Sequence, residues 1–215
     1  MIIKVELENY QPHLFSVTPY YTLSSASQSK LHAGLVGTSN FYAENGKEVV
    51  VMNLPLNFIG MIDDYSVNYL VEKIEPHRKD LESVRINIHS SGGSVAGAIA
   101  IYNYLKSLPF EVKTHNLAEV SSAAVPIYLA GKVRTSEPIS KFVIHPIKSS
   151  KTEGLSYYQV EEILQMLDSD IKSYAEIVNC ETNSLNGLHN VTDCLKGYSI
   201  TLNRQEALEC GIVTL

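Results

Sequence analysis

Two adjacent hydroxyls, Ser121 and Ser122, stand in the stretch AEVSSAAVPIYLAG (118–131), between a β-branched run and a string of small, apolar residues. A serine where a strand turns into a helix has two uses. It can cap the helix with its side-chain oxygen, or it can present that oxygen as a nucleophile, with the N–H of the next residue, here Ala123, left free to stabilise an oxyanion. A nucleophilic serine needs a base to take its proton. His145, at the end of KFVIHP, sits where a side chain leaves a strand end and reaches a cleft. HSSGGSV (89–95) lies after a strand and opens a helix, and its glycines let the backbone approach a ligand with N–H groups pointing outward, a geometry that binds anions. The spacing of Gly92, Gly93 and Gly97 matches neither a dinucleotide fingerprint nor a P-loop. Taken singly, the loop reads equally as a plain strand-to-helix turn, the serines as caps and the histidine as a polar strand end.

The elements that must position these groups alternate along the chain. EVVVMN and VRINIH are strand-like, and between them Val67, Leu70, Val71 and Ile74 recur at helical spacing. The next helix carries Val95, Ile99, Tyr102 and Leu105 and is ended by Pro109, and a strand is expected over 111–117. If Ser122 caps the helix that follows, Pro126 falls where the first intrahelical N–H should be, so that helix start is expected to shift by a residue or two. SKFVIH reads as a strand. Beyond it a long amphipathic helix is expected over 156–178, with the stripe Val160, Ile163, Leu164, Leu167, Ile171, Tyr174, Ala175 and Val178. Near the end, Asn203 with Glu206 forms a capping-box pattern, and Gly211 suits the position just past a helix. The pattern is that of an α/β fold with mostly parallel strands. Residues 1–46, rich in Tyr, Ser, Asn and Gln without sustained period, read as an irregular N-terminal extension to one domain at 47–215.

Composition narrows the function. With 45% hydrophobic residues in 215, the chain can bury a full core unaided. Cys180, Cys194 and Cys210 include no C-x-x-C pair, so neither a disulfide framework nor a zinc site is suggested, and no metal or cofactor is expected. No run approaches the roughly 20 apolar residues that span a bilayer, and MIIKVELENYQ lacks the apolar core of a signal peptide, so a cytoplasmic protein without membrane contact is expected. A net charge of −6 with scattered Lys and Arg offers no stripe for nucleic acid.

Together, INIHSSGGSVAGAIAIYNYLKSL, AEVSSAAVPIYLAG, KFVIHP and the closing EALECGIV resemble the Clp-type proteolytic subunits, self-compartmentalising serine peptidases of the Clp protease/crotonase fold, over residues 47–215. The resemblance implies a repeated β-β-α spiral core and a protruding handle helix, matched here by the long helix. It implies Ser122 as nucleophile, His145 as general base, and the N–H groups of Gly93 and Ala123 as the oxyanion hole, with Gly92 second to Gly93. Ser121 falls where the family has a small residue. As partners it implies peptides or unfolded polypeptides, further copies of the chain in rings, seven-fold in the family, and an AAA+ unfoldase.

The family's acid stands seven residues before the closing Glu-Ala, which here is Ser199 in GYSITL. Asp193 is the nearest carboxylate upstream and reaches His145 only if the loop between is remodelled; a hydroxyl or a backbone carbonyl is the other means of orienting the imidazole. SSGG also replaces the family's S-P-G-G. Three functions stay open: a serine endopeptidase acting in an oligomeric chamber, a weakly active or inactive ring subunit, and a crotonase-type acyl-CoA enzyme. The last lacks the glutamate it would need in 123–131.

Overall fold

In the computed structural model, residues 38–44, 47–149 and 153–215 are described. Thr38–Glu44 (β1) and Lys47–Ile59 (β2) pair antiparallel, with Thr38 opposite Asn53 and Glu44 opposite Lys47. This corrects the expectation for 1–46: its last residues form a strand, and 1–37 lie outside the described residues. TSNFYAE has no period of its own, and its partner supplies the ladder that makes it a strand.

Asp64–Ile74 (α1) begins in a capping box in which Asp63 and Ser66 satisfy each other's backbone N–H. Leu81–Ser90 (β3) follows, then Val95–Lys106 (α2) and Glu111–Ser121 (β4). A short helix, Ala124–Leu129 (α3), leads to Val133–Ser136 (β5) and Lys141–Ile144 (β6). The 26-residue Tyr157–Thr182 (α4) is followed by Val191–Lys196 (α5), Ile200–Asn203 (β7) and Arg204–Glu209 (α6).

The strands form one sheet in the order β1-β2-β3-β4-β6-β7, with β5 branching from β4. The inner pairs are parallel, and among the described residues only β1/β2 and β6/β7 are antiparallel. The fold is therefore the mostly parallel α/β arrangement expected, with a long handle helix. Along β3 residues 84, 86, 88 and 90 are buried while Arg85 and His89 are exposed. That alternation puts one face of the sheet on the helices and the other toward solvent. The core joins Leu54, Leu56 and Phe58 of β2, Ile86 and Ile88 of β3, and Phe142 and Ile144 of β6 to the helices above them.

Two stripes differ from expectation. On α2 the fully buried residues are Ala98, Ile101 and Leu105, whereas Val95, Ile99 and Tyr102 are half-buried. The helix is packed on two sides, since Tyr102 turns toward α4 and donates to Glu181 at 2.6 Å. On α4 the stripe is buried only from Ile171 onward: Leu164 remains 59% and Val160 41% exposed. The first half of the helix stands clear of the core. The Asn203/Glu206 capping box is present on α6, and Gly211 adopts φ +73° just past it.

Candidate active site

A two-residue turn, Ser122 and Ala123, joins β4 to α3, and the reversal is made at Ser122, which takes φ +53°. A non-glycine residue in the left-handed region is held there only when its surroundings over-determine it. Three hydrogen bonds do so. The Ser122 N–H donates to the Val143 carbonyl of β6 at 2.8 Å, and its own carbonyl accepts from the Val125 N–H at 3.0 Å and the Tyr174 hydroxyl at 2.9 Å. The cap of α3 is Ala123, without a side-chain bond, so the helix starts one residue later than a Ser122 cap would give. Pro126 then falls in the first turn, where a missing N–H leaves no acceptor unpaired. Ser122 is thus no cap. Its side chain is left to the partly open surface of the elbow.

The glycine loop packs onto this elbow. Gly92 and Gly93 take φ +98° and +147°, and a Cβ on Gly92 would stand 2.7 Å from the Ser122 Cβ and 3.1 Å from the Ala123 nitrogen. A Cβ on Gly93 would meet the Ile62 carbonyl oxygen at 2.3 Å. The segment after β2 pins the loop from that side, with Ile62 N–H donating to Gly92 O and Ser94 N–H donating to Ile62 O, both at 2.9 Å. The Gly92 N–H is taken by the buried Ser90 hydroxyl at 3.2 Å. Among the described residues the N–H groups of Gly93 and Ala123 have no acceptor. Of the two glycines, then, Gly93 is the one whose N–H has no acceptor among the described residues.

His145 follows β6, the parallel neighbour of β4. Ser121 is opposite Val143, which puts Ser122 and His145 at the carboxyl ends of adjacent strands. The imidazole Nδ1 lies 2.9 Å from the Pro146 carbonyl oxygen. A carbonyl only accepts, so this bond places the proton on Nδ1 and leaves the Nε2 lone pair available as a base. No hydrogen bond joins the Ser122 hydroxyl to the ring among the described residues.

The two candidates for the third position are placed differently. β6 and β7 pair antiparallel and the ladder ends with Ile144 opposite Ile200, so His145 and Ser199 are each the next residue beyond the last pair. Asp193 lies in the first turn of α5, exposed, and its carboxylate makes no hydrogen bond to His145. Ser121 is buried in β4. Two contributors escaped the sequence. Ser90 is the last residue of β3, just beyond the run VRINIH read as a strand, and Tyr174 is one of eight stripe positions with no mark of a polar task.

The glycine loop, the backbone elbow and the histidine strand end follow one another along a chain whose fold known proteins share. In a mutant of ClpP1 from Listeria monocytogenes the fold matches with a TM-score of 0.56 at 22% identity, over 74% of this chain and 88% of that one. The ATP-dependent Clp protease proteolytic subunit 1 of Corynebacterium glutamicum is 25% identical over 194 residues, 81% of this chain and 82% of that protein. The family model described as Clp protease matches residues 58–214. That span includes the elbow, the glycine loop and His145 together, and the chain belongs to the Clp protease family.

Proposed function

We propose that this chain is a serine endopeptidase that cleaves peptides or unfolded polypeptides, with Ser122 as nucleophile and His145 as base. The observation that carries it is the strained elbow, which keeps Ser122 from capping α3 and packs it against Gly92 of the glycine loop. In acylation the Ser122 Oγ bonds to the scissile carbonyl carbon, its proton passes to His145 Nε2, and the carbonyl π pair becomes an oxyanion facing the two N–H groups. Collapse expels the amine, which takes the proton from His145, and leaves an acyl ester. Water then attacks through the same base and releases the acid. The test is labelling of the intact protein by a fluorophosphonate together with cleavage of an unfolded protein substrate; neither label nor cleavage at any assembly state removes the proposal.

The acyl-CoA reading loses support because α3, where its acid or base would stand, is apolar and wholly buried. A weakly active ring subunit is favoured by one observation, the serine at 199. Because the Pro146 carbonyl already fixes the imidazole tautomer, Asp193→Asn is expected to change turnover less than tenfold. Ser199→Asp, which puts a carboxylate at the family's acid position, is expected to raise it by tenfold or more by stabilising the imidazolium, part of the roughly 10⁴ that a triad carboxylate supplies. A loss on the order of 10³ in Asp193→Asn with folding intact would identify Asp193 as the third member instead.

Tyr157, Tyr158, Leu164 and Met166 of α4 are 73%, 80%, 59% and 60% exposed, more apolar surface than a lone chain keeps in water without use. The handle is read as an interface between copies in stacked rings enclosing the sites. Solution scattering at micromolar concentration should give a ring-sized particle, and a monodisperse species of 23.8 kDa would exclude it.

A further inference from the structure

The carbonyl of Ser122 and the N–H of Ala123 belong to one peptide unit, and a trans peptide is planar, so the two groups point in opposite directions. Whatever holds the carbonyl therefore aims the N–H. The Tyr174 hydroxyl donates to that carbonyl at 2.9 Å from the buried half of α4, and the side chain is 1% exposed. The geometry points to Tyr174 as a positioning residue for the oxyanion hole: it turns the Ser122–Ala123 peptide so that the Ala123 N–H faces the substrate carbonyl. This rests on the proposed peptidase reading and names a part of the same site.

Two further features fit the role. The carbonyl's other bond, from Val125 at 3.0 Å, comes from the first turn of α3 and moves with it, whereas Tyr174 reaches from a separate element 52 residues away and fixes the peptide against the body of the protein. Donation into the carbonyl also polarises the peptide and strengthens its N–H as a donor, as chained hydrogen bonds do. Burial, with Cys194 nearby, pushes the phenol well above its ordinary range, so the hydroxyl remains a donor at every working pH.

The test uses the full chain with Tyr174→Phe, which keeps the ring and removes the hydroxyl. Removing an oxyanion donor outright costs about 10² to 10³ in turnover, and a misaimed one is expected to lose about tenfold in kcat with KM within twofold. Affinity for a peptide boronate, whose tetrahedral adduct places an oxyanion in the hole, should fall by the same factor. A purely structural role would not link those two numbers. As a second measurement that preserves shape, fluorinated tyrosines at 174, graded in acidity, should tighten boronate binding as the phenol becomes a stronger donor. An active wild type with unchanged kcat and boronate affinity in Tyr174→Phe, or a fluorotyrosine series without trend, overturns this inference alone. A wild type that neither cleaves nor binds boronate removes the peptidase reading and this inference with it.

Discussion

Ser122→Ala is expected to reduce peptide cleavage to background, a loss of at least 10³, and to abolish fluorophosphonate labelling, because a base and an oxyanion hole without a nucleophile retain little activity. The fold should survive. The bonds that hold the elbow run through the Ser122 N–H and carbonyl, not through its hydroxyl, so they remain in the alanine variant. Melting temperature and particle size should therefore match the parent, which separates lost chemistry from lost structure. Ser121→Ala is the control, since that side chain is buried one residue earlier in β4 and should leave activity within a few-fold. Undiminished cleavage by Ser122→Ala would sink the assignment of the site.

The largest effect on stability is expected at Arg134. This guanidinium is 6% exposed and reaches from β5 to the carbonyls of Ile212 at 2.7 Å, Gly211 at 2.9 Å and Glu181 at 3.0 Å, with Gly131 at 3.3 Å. Its Nη1 is 3.7 Å from the Glu181 carboxylate, and the Arg134 backbone exchanges hydrogen bonds with Thr214. One side chain thus joins the end of α3, the end of α4 and the C-terminal residues. Arg134→Met leaves those acceptors buried without donors, and a loss of about 3 kcal/mol or more in urea unfolding is expected, a large share of a domain's 5–15 kcal/mol. Arg134→Lys should recover only part, because an ammonium cannot span the same fork of acceptors. A loss under about 1 kcal/mol for the methionine variant would show that water or relaxation replaces the network.

Glu181 gives the anchor a pH signature. Burial works against its carboxylate, yet hydrogen bonds from Lys106 and Tyr102, with the Lys106 and Arg134 charges, hold it below its ordinary value. A depressed carboxylate contributes stability that is present above its unfolded pKa of about 4.3 and lost as pH falls through the folded value. Acid should therefore weaken the wild type more than the methionine variant.

What could be seen in the sequence was whatever is local. The order of strands and helices, the Gly-Gly loop, the Ser-Ser elbow and the strand-end histidine are each written in consecutive residues, and the capping box at Asn203 was recognisable by spacing alone. β5 was not, since VRTS is too short to show a period and is a strand because Lys113 to Asn116 pair with it. The buried face of α2 was misjudged because periodicity ranks Val95 and Ile99 above Ala98, whereas a helix crowded between sheet and α4 places its small residue at the tightest point. That the Ser90 hydroxyl takes the Gly92 N–H, and that Ile144 faces Ile200 in the β6/β7 ladder, could be seen only in the structure. Neither is a property of spacing along the chain.

The handle, finally, is one helix in its backbone and two in its energetics. From Ile171 onward α4 shares the core, so opening that half requires opening much of the domain. The turns from Tyr157 to Asp170 have mainly their own hydrogen bonds, and a helical stretch that short is marginal in water. In a chain without neighbouring copies, local opening free energy is therefore expected to climb along a single element, from near zero at its tip to the global value around Tyr174, and the phenol that holds the Ser122 carbonyl belongs to the half that shares the core.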